Sequence, residues 1–143
     1  MFDGNLAYSP SEPELISIGN NVWITQNVSF ITHDQTRNML NLKYGVELFK
    51  QYFGCIQIGD SCMVGAKSII LPNVRIGDNI IIGAGSIVTK DVPSNTVVAE
   101  VSAKPICDFE TFANKRRQNK GTTSPKELWN IFLEKKVMNY KEI

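Results

Sequence analysis

At 143 residues and 43% hydrophobic content, the chain is long enough to form one domain with a buried core. Fifteen Lys and Arg against fourteen Asp and Glu leave a formal charge of +1, which offers little to a nucleic-acid backbone. No apolar run is long enough to cross a bilayer and the start does not read as a signal peptide, so a cytoplasmic protein without a membrane span is expected.

In chain order, residues 1–17 carry Pro10, Pro13 and scattered polar side chains, and are expected to cap the open N-terminal end of a repeat. At Ile18 a six-residue period begins. Ile18, Ile24 and Phe30 keep the step, and after an interruption Ile58, Val64, Ile70, Ile76, Ile82 and Val88 keep it without a miss. Four residues after each marker stands a second small or apolar residue: Val22, Val28, Cys62, Ser68, Val74, Ile80, Ser86 and Val92. Only Phe30 breaks this second column, because Asp34 falls there. Six fits neither the helix period nor the alternation of a long strand. It fits a short strand, a turn and a repeat, with two inward residues per hexad lining a tube: a parallel β-helix. Gly follows the marker at Gly19, Gly59, Gly65, Gly77 and Gly83. Either an unusual backbone conformation or a close approach of neighbouring coils would require it.

Residues 34–57 interrupt the repeat with an excursion containing Arg37, Lys43, Tyr44, Phe49, Tyr52 and Phe53, and loops this long inside a domain are usually functional. Cys55, Cys62 and Cys107 have neither metal nor redox spacing, and Cys62 falls in the inward column as a small buried thiol. Past the repeat, residues 108–118 read as a short helix and 121–124 as a linker. Ser124, Pro125 and Glu127 then supply a cap, a first-turn proline and a capping-box carboxylate. The helix they open sets Leu128, Ile131, Phe132 and Met138 on one stripe, suited to packing on the tube or a neighbour. The expected organisation is a cap plus β-helix over 1–107 and a helical tail over 108–143 that packs on it.

With IGAGSIVTKDVPSNTVVAEVSAKPI at 82–106 closing the repeat, the chain resembles the hexapeptide-repeat acyltransferases. The likeness covers about residues 15–110. It implies an all-β solenoid, a left-handed parallel β-helix of three hexads per coil, with coils at 18–35, 58–75 and 76–93. The segments NVWI…ITHD and FGCIQIGD are most similar to small O-acetyltransferases of bacterial capsule, exopolysaccharide and lipopolysaccharide assembly. The implied activity is acetyl-CoA-dependent acetylation of a sugar hydroxyl, with no metal. Amino-sugar N-acetyltransferases and antibiotic acetyltransferases share the scaffold, and a non-catalytic β-helix module is the reading from another class. A metal-dependent β-helical carbonic anhydrase needs three histidines, and this chain has one.

That histidine, His33, stands in FITHDQ at the mouth of the excursion, where the resembled family keeps its general base. Imidazole suits the task because it exchanges protons near neutrality. Asp34 either orients the ring or forms a turn, and a backbone carbonyl could orient it equally well. The resemblance further implies that the Ala66 N–H binds the oxyanion of the tetrahedral intermediate and the Ala84 N–H contacts the pantetheine arm. Thr89, Lys90 and Lys104 match positions along the nucleotide end of CoA, where lysines suit phosphates; each could instead be a solvated surface residue. Arg116 and Arg117 are further candidates. The chain departs from the family pattern at Met63, where an aromatic residue is common, and at Glu100 and Ser102, where Gly and Pro are usual. A homotrimer with active sites between neighbouring tubes is expected, since three-fold closure would cover flat faces that one short tube leaves open.

Overall fold

The computed structural model describes residues 12–118 and 124–134, so most of the expected cap, residues 121–123 of the linker, and Met138 lie outside the described residues. The chain divides into two units, Met1–Phe112 and Ala113–Ile143. In the first, a single 3-10 turn at Pro13–Leu15 leads into three coils of short strands. These are β1 (Ile16–Ile18), β2 (Trp23–Ile24) and β3 (Ser29–Phe30); then β4 (Ile56–Ile58), β5 (Met63–Val64) and β6 (Ile69–Ile70); then β7 (Val74–Ile76), β8 (Ile81–Ile82) and β9 (Ile87–Val88). Strands β10 (Thr96–Ala99) and β11 (Lys104–Asp108) come after them.

Stacking the coils makes three sheets: β1-β4-β7, β3-β6-β9, and a five-stranded sheet in the order β11-β10-β8-β5-β2. The markers are in parallel register, Ile18 with Ile58 and Ile76, Ile24 with Val64, Ile82 and Val98, and Phe30 with Ile70 and Val88. Both inward columns form the core: Val64, Ile70, Ile80, Ile82 and Val88 are fully buried, and Ile18 and Phe30 pack partly buried against them. Burying each such side chain favours folding by about 1.5–3 kcal/mol. Ser68 and Ser86 stand in the same column without cost, because their hydroxyls donate to the Gly65 and Gly83 carbonyls at 2.8 and 2.6 Å. Cys62 is buried as expected, and burial raises its thiol pKa, which keeps it protonated.

The role of the glycines is close approach. None of those following a marker has positive φ. A Cβ on Gly59 would come 2.7 Å from the Gly77 carbonyl oxygen of the next coil. The left-handed turns instead fall three residues after the marker, at Asn21, Asn27, Ser61, Lys67, Asn73, Asn79 and Gly85. Asparagine tolerates that region better than most side chains.

The tube also runs further than the three expected coils. Val97 and Val98 continue the β8 ladder and are buried, and β11 turns back antiparallel on β10 to cover its edge. The step to this last partial coil has shortened to 16 residues, seen between Asn79 and Asn95.

The excursion is built around a helix, α1 (Thr36–Tyr44), ended by Gly45 at φ 63°. Buried Asn41 ties the loop together, donating to the Phe49 carbonyl at 3.0 Å and accepting the Phe49 N–H at 2.9 Å. Helix α2 (Phe109–Arg117) begins where the Phe109 N–H donates to Asn95 O at 3.0 Å. In the second unit, α3 (Pro125–Glu134) starts with Pro125 as expected, and the Leu128 N–H donates to Ser124 O at 3.0 Å. Leu128, Ile131 and Phe132 are exposed, and Trp129 meets Phe132 edge-on at 5.7 Å between ring centroids.

Candidate active site

His33 follows β3, where the chain leaves the first coil, and the excursion returns beside it. His33 forms an isolated antiparallel bridge with Phe53, and the Gly54 N–H donates to Thr32 O at 2.8 Å, which closes the neck of the loop. The Phe53 ring lies 5.7 Å from the imidazole, tilted by 52°. Asp34 does not orient this ring. Its carboxylate accepts the Thr36 N–H at 2.9 Å and so holds the start of α1, the turn-forming alternative. That bond also pulls its pKa below the usual carboxylate range.

The group on the imidazole is Glu12, which sequence reading did not single out. Its Oε2 lies 2.9 Å from His33 Nδ1 and also accepts the Thr32 hydroxyl. The Thr32 bond first, and the His33 bond second, hold the Glu12 carboxyl below its ordinary pKa. An ionised carboxylate only accepts, so a hydrogen bond between the two requires a proton on Nδ1. Nε2 faces the Gln35 side-chain amide at 3.5 Å.

A second cluster lies at another corner of the tube. At the corner after β1, β4 and β7, each N–H two residues past the marker is capped from the next coil. Asp60 Oδ1 accepts from Asn20 at 2.6 Å, Asp78 Oδ1 accepts from Asp60 at 2.8 Å, and Ser94 Oγ accepts from Asp78 at 2.9 Å. At the corner after β5 and β8 the same positions are Ala66 and Ala84, whose methyl groups accept nothing. Among the described residues neither of their N–H groups has a partner. Two backbone donors in adjacent coils are thus open at one edge, tied by the Gly85 N–H donating to Ala66 O at 2.8 Å. Beside them Trp23, exposed, is in register with Met63, which is in register with Ile81, an outward apolar strip. An aromatic residue is therefore present on this face, one coil earlier than Met63.

The closing-coil residues are all at the surface. Thr89 Oγ1 and Ser102 Oγ are 2.8 Å apart, Lys90 is exposed, and Lys104 Nζ lies 2.8 Å from Glu100 Oε2. Glu100 raises the Lys104 pKa through that hydrogen bond and its charge. Glu100 has φ 81°, a conformation that suits the Gly usual at this place. Arg117 Nη1 donates to Asn114 at 2.6 Å within α2. Among the described residues no three His, Cys, Asp or Glu side chains are grouped as metal ligands would be, and no helix is long and apolar enough to cross a membrane.

Within one chain, Ala66 and Ala84 stand together, as do Lys104 and Glu100. His33 does not join the alanines: it follows the β3-β6-β9 sheet, whereas they follow β5 and β8.

Residues 55–90 match the family described as bacterial transferase hexapeptide (six repeats). Protein CapG of Staphylococcus aureus is 48% identical over 110 residues, 76% of this chain and 62% of that protein. A relative from Schizosaccharomyces pombe is 40% identical over 97 residues, 67% of this chain and 44% of its own length. The chain therefore spans only about half the length of these curated relatives. Among solved structures, a galactoside acetyltransferase in complex with coenzyme A is 33% identical with a TM-score of 0.60, covering 76% of this chain and 50% of that one. A maltose O-acetyltransferase from Clostridium difficile 630 is 29% identical with a TM-score of 0.54, covering 66% and 59%.

Proposed function

Since the chain belongs to the hexapeptide-repeat transferases, whose coils wind left-handed, we propose that it transfers an acetyl group from acetyl-CoA to a sugar hydroxyl. One observation carries the reading: a half-buried imidazole at the mouth of the excursion whose Nδ1 lies 2.9 Å from a carboxylate, an arrangement that suits a base at Nε2. His33 Nε2 takes the proton of the acceptor hydroxyl as its oxygen attacks the thioester carbonyl. The open Ala66 N–H receives the resulting oxyanion, and the Ala84 N–H the pantetheine amide. Collapse of the intermediate breaks the carbon–sulfur bond, and the thiolate leaves with the proton from the imidazolium. Lys90 and Lys104 serve the phosphates of the nucleotide end, with Thr89 beside them. Because the imidazole and the alanine donors lie at different corners, a complete site joins His33 of one tube to the Ala66 and Ala84 edge of another, in a cytoplasmic homotrimer.

Likeness to the galactoside and maltose enzymes favours a saccharide acceptor, in capsule, exopolysaccharide or lipopolysaccharide assembly. An amino-sugar or antibiotic amine would use the same geometry and is the second reading. A non-catalytic β-helix would not bind acetyl-CoA, so it predicts no rise in melting temperature on adding it. The direct test is His33→Ala, which is expected to keep the fold and acetyl-CoA binding while transfer drops about 10²–10⁴-fold. Wild-type rates from a folded, donor-binding variant would remove His33 as the base.

A further inference from the structure

We propose that Glu12 is a positioning residue, whose carboxylate holds His33 in the tautomer that leaves Nε2 free to accept a proton. This rests on the reading of His33 as general base. A neutral imidazole carries one ring proton, and in free histidine it resides mainly on Nε2. That form would turn a donor toward the acceptor hydroxyl and could not act as base there. A carboxylate 2.9 Å from Nδ1 reverses the preference, because it can only accept.

The carboxylate is itself fixed. Buried Thr32, anchored in the first coil, donates its hydroxyl to the same Oε2. The Leu15 N–H donates to Glu12 O at 3.1 Å, which ties the Glu12 backbone to the turn ahead of β1. The two side chains are only 25% and 20% exposed, so water competes weakly for the bond. Among the described residues two charged groups bear on the ring: Glu12 by contact, and Asp34, whose own carboxylate is spent on the Thr36 N–H. When Nε2 takes the proton, the imidazolium forms against an existing negative charge. A segment ahead of the first coil thereby reaches across 21 residues of sequence to set the chemistry at the loop mouth.

His33 is the chain's one histidine, so nitrogen-15 NMR of the imidazole reports on it without assignment. At alkaline pH the wild-type ring is expected to show a protonated Nδ1 and a bare Nε2. Glu12→Ala should move the proton to Nε2. Glu12→Gln, whose carbonyl still accepts, should keep it on Nδ1 and covers the case in which the alanine variant fails to fold. A wild-type ring protonated on Nε2, or a folded Glu12→Ala ring identical to wild type, overturns the proposal. With a panel of methyl glycosides as acceptors, Glu12→Ala should lower kcat about 10–100-fold at constant KM for acetyl-CoA. Glu12→Gln should recover part of that loss, and Glu12→Ala should add nothing in a His33→Ala background. An equal loss in both backgrounds would make Glu12 structural. If His33→Ala alone transferred normally, the base assignment would fall, while the NMR result would still decide whether Glu12 sets the tautomer.

Discussion

At the residue scale, Lys104 is held by a neighbour the family pattern does not prepare. The ammonium is already paired with Glu100, so a phosphate arriving there competes with a carboxylate. Both groups are exposed, so the competition is screened and modest. Lys104→Ala should weaken acetyl-CoA binding a few-fold and leave a short pantetheine thioester unaffected, whereas Glu100→Gln should tighten acetyl-CoA binding. Calorimetric titration of both donors checks this, and equal changes for the two would remove Lys104 from the nucleotide end. As a candidate, His33 was visible in the sequence because it is single and stands where the repeat breaks, while its role as base came from the resemblance. Glu12 was not, since nothing periodic links it to His33 and only the folded first coil brings Thr32 and His33 to one oxygen. The alanines were legible only by resemblance, because a backbone N–H leaves no side-chain trace. Yet the contrast of Asp60 and Asp78 at one corner with Ala66 and Ala84 at the next is visible in the sequence once the period is aligned.

At the element scale, that contrast gives a substitution with a defined geometry. Ala84→Asp places a carboxylate where Asp78 stands one corner earlier, and it should cap the Ala66 N–H as Asp78 caps Asp60. The variant is expected to melt near the wild-type temperature and to lose acetyl-CoA binding in calorimetry. Unchanged binding would mean that this edge does not hold the pantetheine arm. The three main coils could be read from their period, because nearly every hexad turns two residues inward at fixed places, the Phe30 hexad with Asp34 being the exception. The partial fourth could not, because its step shortens and no Gly follows Val92 or Val98. Helix α1 was also missed: Asn41 is its one buried residue, so it lacks the apolar stripe that marks a packed helix. Its surviving signal is Gly45 after Lys43 and Tyr44, a helix ending.

At the scale of the whole molecule, the proposed site would make assembly a condition of activity, because His33 and the alanine edge lie at different corners of one tube. His33→Ala and Ala84→Asp chains, each expected to be strongly impaired, should complement one another when unfolded and refolded together. Random three-fold mixing restores about one quarter of the sites if each site draws on two chains, and none if it draws on one. Activity of the mixture, with mass from light scattering, decides between them. The excursion that carries α1 has another consequence, for the order in which the molecule forms. The second and third coils join residues 18 apart, as Asp60 and Asp78 do, but the first coil reaches the second across 40, as Asn20 and Asp60 do. Closing the longer loop costs about 0.7 kcal/mol more in chain entropy. The later coils are therefore expected to serve as the template, with the coil bearing Thr32 and His33 docking last and leaving first. Native-state hydrogen exchange should find the amides of β1 to β3 opening before those of β5 and β8, and the reverse order would contradict it. Loss of catalysis would then precede loss of the fold on warming, because the proposed base rides on the least secured turn of the coil.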